Sequence, residues 1–85
     1  MALQAALEYA IHGFAPTAVI DVQDVDGHVT GTVIAAEFAN VSAADRQRHV
    51  WKRIRDEMGP NSAKIGVLNL YTPEEAEAAA NESEG

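Results

Sequence analysis

The sequence of 85 residues contains no cysteine. This absence excludes disulfide bonds, thiolate nucleophiles and thiolate metal ligands, and it fits a reducing compartment such as the cytoplasm, which is the location we expect. The first dozen residues lack the basic and apolar segments of a signal peptide, and no apolar run reaches membrane-spanning length. We therefore expect a protein that does not associate with membranes.

Basic residues are also few. Six lysines and arginines stand against 13 aspartates and glutamates, and the formal net charge is -7 at pH 7. Such a chain repels nucleic acid and anionic lipid at long range. Five of the six basic residues nevertheless fall in one short segment: Arg46, Arg48, Lys52, Arg53 and Arg55. The sequence predicts one local basic face on an acidic protein.

The recognisable motifs of catalysis and metal binding are missing. The chain has no nucleophile elbow, no phosphate-binding loop and no acid and base at a known spacing, so an enzyme is the least favoured class. The three histidines, His12, His28 and His49, do not share the spacing of a helical metal site. We expect no metal or other cofactor in the free protein.

The composition that remains is that of an ordinary globular domain. Hydrophobic residues make up 47% of the chain and charged residues 22%. A chain of this length can build one modest core. We predict a single domain over residues 1–80, followed by a polar tail over 81–85.

The first half of the chain predicts a helix and a hairpin. Leucine, isoleucine and alanine recur at helical spacing over 2–12, and Gly13 follows as a helix-ending residue. Alternating apolar residues over 17–23 and the apolar run over 28–36 predict two strands. Asp26-Gly27 between them is typical of a tight type I′ turn, so these strands should be antiparallel.

The second half predicts a helix, a strand and a short helix. Ser42 as N-cap and Gly59-Pro60 as terminator delimit a helix over 43–58. Its inward stripe is Val50, Ile54 and Met58, with Trp51 beside it. Residues 64–71 predict a third strand, and Thr72 caps a helix over 73–80.

The connections predict the topology. The tight turn pairs the first two strands in antiparallel fashion, whereas the helical crossover to the third strand is long enough for a parallel pair. The expected fold class is α+β, with a three-stranded mixed sheet and helices packed on one face.

Several stretches in this order resemble the BolA-like family, whose fold is similar to a class II KH domain. The residues that carry the resemblance are Phe14-Ala15-Pro16-Thr17, Val19-Ile20-Asp21-Val22, Gly27-His28-Val29, Val33-Ile34-Ala35, Phe38, Ser42, Arg46-Gln47-Arg48, Val50, Ile54, Leu68 and Tyr71-Thr72-Pro73-Glu74-Glu75. The match runs over residues 3 to 75 without a gap. It implies a non-enzymatic binding protein that works with a monothiol glutaredoxin in iron-sulfur and redox handling. It also implies transcription regulation and stress response for some members.

The departures from the family pattern bear on the site. The resemblance implies two ligands to a [2Fe-2S] cluster shared with the glutaredoxin. His28 matches one ligand, but Lys64 stands where the family has the other, a histidine. A protonated lysine has no lone pair for iron, which makes cluster ligation doubtful. Phe38-Ala39-Asn40 and Ala76 depart from the pattern as well, and they indicate a divergent member.

Two functions therefore stay open. The first is a glutaredoxin-binding adaptor with His28 and Lys64 at the partner surface. The second is a nucleic-acid-binding regulator that uses the basic residues of 46–55, although the Gly-x-x-Gly loop of KH domains is absent. With few phosphate contacts, such binding would be weak and sensitive to salt. The sequence does not indicate an oligomeric state.

Overall fold

Six helices and strands follow one another in residues 3–84, the part of the chain that the computed structural model describes. In order they are α1 (Leu3–His12), β1 (Val19–Val25), β2 (His28–Ile34), α2 (Ala43–Met58), β3 (Ile65–Tyr71) and α3 (Pro73–Glu84). Short 3₁₀ turns lie at Ala36–Phe38 and Gly59–Lys64. Each predicted element is present, with strand ends displaced by one or two residues. No helix in the described residues is both long and apolar enough to cross a membrane.

The three strands form a mixed sheet in the order β1-β2-β3. β1 and β2 are antiparallel, while β2 and β3 are parallel, as predicted. The hairpin turn has positive φ at Asp26 (54°) and Gly27 (83°). The carboxylate of Asp24 accepts a hydrogen bond of 3.0 Å from the Gly27 amide. This bond stabilises the turn.

One face of the sheet carries the core. Leu7 and Ile11 of α1 and Ile54 of α2 pack there against Val29 and Val33 of β2, and all five are fully buried. The predicted inward stripe of α2 is confirmed. None of the described core residues lies on the opposite face, which we call the open face. Its side chains are Val19, Asp21, Gln23 and Val25 from β1, His28, Thr30, Thr32 and Ile34 from β2, and Val67, Asn69 and Tyr71 from β3.

The predicted helix caps are mostly confirmed. The Ser42 hydroxyl accepts the Asp45 amide at 3.2 Å, and Gly59 ends α2 with a φ of 57°. The end of α1 differs from the prediction, because Gly13 does not adopt the left-handed conformation of a glycine cap. A Cβ on Gly13 would lie 2.0 Å from a guanidinium nitrogen of Arg53. Gly13 therefore leaves room for that side chain.

The last helix is longer than predicted. α3 continues through Glu84 and so includes residues 81–84 of the segment interpreted as a tail; residue 85 lies outside the described residues. Alanine and glutamate are strong helix formers, and the sequence has no glycine or proline to stop the helix at residue 80. Residues 77–81 are exposed. The core residues of α1 and α2 pack on one face of the sheet, so the predicted arrangement of helices on one face is confirmed.

We predict that Gly31→Ala will destabilise the hairpin. A Cβ at this position would lie 2.2 Å from the Asp21 carbonyl oxygen and 2.6 Å from the Val22 Cα, so the two strands would have to separate. The expected loss in free energy of unfolding is about 1–3 kcal/mol. Each kcal/mol corresponds to a fall in Tm of roughly 4–8 °C in a domain of this size, which thermal unfolding by circular dichroism measures. Thr32→Ala on the same strand is the control, and an equal loss in both variants would contradict the close approach at Gly31.

Candidate partner-binding site

His28 and Lys64 lie at the same end of the sheet. His28 begins β2, and Lys64 directly precedes Ile65, the first residue of β3. Because these strands are parallel and Val29 pairs with Ile65, the two residues come side by side. A Cβ added to Gly66 would lie 3.8 Å from the His28 Cβ, which places His28 over the beginning of β3. Both residues are exposed and accessible to a partner.

Lys64 itself is the last residue of the 3₁₀ turn Gly59–Lys64, and not the first residue of the strand as predicted. Pro60 stands near the start of this turn and lacks the amide hydrogen that a strand would use. The turn places Lys64 just before Ile65, the first residue of β3 that pairs with β2. Lys64 therefore lies outside the hydrogen-bonded ladder of the sheet. Its exposure leaves the ammonium group in water.

The donor atoms at this sheet end do not fit an iron-sulfur cluster held by two ligands of this chain. Such clusters are bound by thiolates and, in some proteins, by imidazoles. Here His28 offers one imidazole, while the Lys64 ammonium has three hydrogens and no lone pair. Elsewhere in residues 3–84, no three histidine, aspartate or glutamate side chains are grouped so that they could hold a metal ion. At this sheet end, His28 is the candidate ligand.

The sequence predicted that the five basic side chains of α2 would face water together, and three of them do so in the structure. Arg48, Lys52 and Arg55 are exposed. Two of the three form ion pairs within the helix, Arg48 with Asp45 and Lys52 with Asp56, both at 2.8 Å.

These ion pairs reduce the charge that the helix offers to a polyanion. The hydrogen bond from Lys52, together with its positive charge, lowers the pKa of Asp56. The Asp56 carboxylate is thereby held in its charged form beside Lys52. Arg53 is half-buried, and its guanidinium donates to the Ala10 carbonyl at 3.1 Å and pairs with Glu57 at 3.3 Å.

The prediction that Arg46 belongs to the solvent-facing basic face is wrong. Arg46 is 9% exposed. Its guanidinium donates to the carbonyls of Val41 (2.8 Å) and Leu70 (3.2 Å) and binds both carboxylate oxygens of Glu75. It also lies 5.8 Å from the centre of the Phe38 ring. The side chain joins the start of α2 to the end of β3 and the start of α3.

Glu75 completes this junction. Its carboxylate accepts the Thr72 amide at 2.9 Å, while its own amide donates to the Thr72 hydroxyl at 3.2 Å. The predicted cap of α3 is therefore a full capping box. Hydrogen bonds from Arg46 and then from the Thr72 amide lower the pKa of Glu75 to about 2. The carboxylate stays charged down to strongly acidic pH.

Gln47 was not predicted to have any role, but it bonds to β3 next to Arg46. Its amide group donates to the Leu68 carbonyl at 2.9 Å and accepts a bond of 2.9 Å from the Trp51 ring nitrogen. Carbonyls alternate between the two edges of a strand. Since the Tyr71 carbonyl accepts from Ala35 on the β2 side, the Leu70 and Leu68 carbonyls face outward. Gln47 and Arg46 thus close the outer edge of β3.

Comparison with solved structures identifies the fold. A Bol-like protein from Babesia bovis superposes with a TM-score of 0.66 at 22% identity, covering 94% of this chain and 95% of that chain. The BolA domain of SufE1 from Arabidopsis thaliana gives 0.69 at 15% identity over 88% and 98%. A BolA protein homologue from Coxiella burnetii gives 0.64 at 23% identity over 91% and 97%. The sequence matches no family model, and no curated protein matches it significantly. The chain has the α+β fold of BolA-like proteins, as the sequence resemblance implied.

We predict that Glu75→Gln will change the pH dependence of stability. The folded-state pKa of Glu75, about 2, is below its ordinary value of 4.5, so the ionised carboxylate stabilises the fold. This contribution is fully present above the ordinary pKa and is lost as the pH falls from there towards 2. Glu75→Gln should therefore be less stable than the wild type at pH 7 and should lose less stability on acidification. Urea unfolding at a series of pH values measures both effects.

Glu74→Gln is the matched control, because Glu74 is the exposed neighbour of Glu75. It should keep the acid sensitivity of the wild type. If Glu75→Gln followed the wild-type pH curve, the bonds to Arg46 would not stabilise the fold.

Proposed function

We propose that the chain is a non-enzymatic adaptor that binds a monothiol glutaredoxin through the sheet end formed by His28 and Lys64. The observation that carries the proposal is the parallel pairing of Val29 with Ile65, which brings these two exposed residues together. The positions match those that the family resemblance implies for partner binding. The fold likeness supports this choice of partner by analogy alone.

Under this proposal the protein binds its partner without supplying the usual second ligand to a shared cluster. The Lys64 ammonium occupies that position as a positive charge. It is free to contact an acidic group of the partner, since no ion pair holds it among the described residues. Association should therefore leave the visible spectrum of a glutaredoxin-bound [2Fe-2S] cluster nearly unchanged.

We predict that Lys64→His will change the spectrum of the complex. A neutral imidazole supplies the donor nitrogen that the ammonium lacks, and histidine in place of thiolate raises the reduction potential of a [2Fe-2S] centre. Wild-type and variant proteins should be mixed with a cluster-loaded monothiol glutaredoxin. Binding, visible absorption and reduction potential are then recorded. The variant should unfold within about 0.5 kcal/mol of the wild type, because position 64 is exposed.

Lys52→His is the matched control, since it makes the same change at an exposed position of α2, and it should leave the spectrum unchanged. A histidine-ligated spectrum with the wild-type protein would show that another residue is the ligand. Failure of both wild type and Lys64→His to associate would reject the glutaredoxin proposal.

The second candidate function is nucleic-acid binding by α2. Arg48, Lys52 and Arg55 point into solvent on this helix, and Arg55 has no ion pair among the described residues. Burial of Arg46 and the bonds of Arg53 leave fewer phosphate contacts than the sequence suggested. This function therefore ranks second.

We predict that any duplex-DNA binding depends on these three exposed side chains. Replacement of Arg48, Lys52 and Arg55 by glutamate should abolish binding, because the rest of the surface is acidic. With at most three phosphate contacts, log K against log salt should have a slope no steeper than about -2.7. Fluorescence anisotropy at several salt concentrations measures both quantities.

The matching triple glutamine variant should bind weakly without repelling DNA, and circular dichroism checks that both variants remain folded. Equal binding by the wild type and the glutamate variant would exclude α2 as the site.

A further inference from the structure

The two edges of the sheet differ. The outer edge of β3 is closed, since Gln47 and Arg46 bond to its carbonyls at Leu68 and Leu70. β1 forms the other edge of the sheet. The hydrogen bonds of the described residues include none to the backbone of β1 from its outer side. The outer edge of β1 is therefore open.

The hairpin register determines which backbone groups this edge presents. In a tight turn the carbonyl of the first residue accepts from the amide of the fourth, so Val25 and His28 are a hydrogen-bonded pair. Hydrogen-bonded and non-hydrogen-bonded pairs then alternate along the strands. Ile20, Val22 and Asp24 consequently point their N–H and C=O groups away from β2. They form a row of donors and acceptors ready for another strand.

The side chains of β1 are accessible as well. Five of its seven residues are exposed, against one of seven in the central strand β2. Val19 is 59% exposed and Val25 is 46% exposed, at the two ends of the strand. Valine is favoured in strands, and a strand added beside β1 would cover part of these side chains. The exposure supports a surface that another chain can cover.

The charge of this edge selects its partner. β1 carries Asp21 and Asp24, Asp26 follows in the turn, and the strand has no basic residue. Pairing with β1 of a second copy would bring two acidic strands together, which like-charge repulsion opposes. A strand rich in lysine or arginine has the complementary charge.

We infer that the outer edge of β1 binds an extended basic segment of a partner protein by strand addition. This inference goes beyond the proposed glutaredoxin site, which lies where β2 and β3 begin. Main-chain bonds to Ile20, Val22 and Asp24 supply affinity, and alternate side chains supply specificity. On the open face, the added strand places basic side chains beside Asp21. On the helix side, its apolar side chains lie beside the half-buried Ile20 and Val22.

The probe for this surface is a synthetic peptide of alternating lysine and valine, and an alternating glutamate and valine peptide is its control. NMR hydrogen exchange of the full chain reports on each amide. The basic peptide should slow exchange at Ile20, Val22 and Asp24, whose amides point outward. Asp21 and Gln23 should change less, because they already bond to β2. The acidic peptide should have no effect.

Three variants separate strand addition from general charge attraction. Asp21→Lys should bind the basic peptide about tenfold more weakly. Glu37→Lys makes the same charge change at an exposed position outside β1, in the 3₁₀ turn Ala36–Phe38, and should bind like the wild type. Val22→Pro removes an outward N–H that is not part of the β1–β2 ladder, so it should also weaken binding while the hairpin stays folded.

The inference is overturned if Asp21→Lys and Glu37→Lys weaken binding equally, since the peptide would then follow net charge. It is also overturned if the basic peptide leaves hydrogen exchange at Ile20, Val22 and Asp24 unchanged. A third contrary result is a dimer of this chain that protects the same amides in the absence of peptide. Backbone spectra of each variant verify that the fold is intact. Binding of a glutaredoxin is a separate readout, so either proposal can fail without the other.

Discussion

The arrangement of the second half of the chain depends on the hydrogen bonds and the ion pair of the Arg46 guanidinium group. A buried guanidinium must have its hydrogens bonded, because an unpaired charge in a protein interior is strongly unfavourable. Arg46 meets this requirement with two carbonyls and the Glu75 carboxylate. These partners come from the residues just before α2, the end of β3 and the start of α3. One side chain thereby determines how the last strand and the last helix meet the rest of the fold.

This junction and the candidate partner site lie at opposite ends of β3. Arg46 bonds near Leu70, at the end of the strand, whereas Lys64 directly precedes its beginning. The junction that supports the fold and the candidate partner site are therefore separated along one strand. Lys64 is exposed and is not among the described core residues, so a substitution there should leave the packing intact. The same separation makes substitutions at position 64 informative about binding.

Local signals account for what the sequence could predict. The caps at Ser42 and Thr72 and the turn at Asp26-Gly27 act within three or four residues, and the apolar periodicities give the strands and α2. The parallel crossover then brings His28 and Lys64 together. The role of Arg46 could not be predicted, because its carboxylate partner lies 29 residues later in the chain. The length of α3 was missed because no stop signal separates its helix-forming residues from the polar end.

The closed edge of β3 also has a consequence for folding. The β1–β2 hairpin has local contacts and a two-residue turn, so it can form in about 1–10 μs. Pairing of β2 with β3 must first close the segment between Ile34 and Ile65, and non-local contacts of this kind form more slowly. Until β3 arrives, Arg46 and Gln47 cannot bind the Leu70 and Leu68 carbonyls, and β2 presents a second open edge. The sequence of β2, from His28 to Ile34, has no acidic residue that would repel a strand of another chain. During synthesis, the edge of the hairpin that is vulnerable to mispairing is therefore the edge formed by β2.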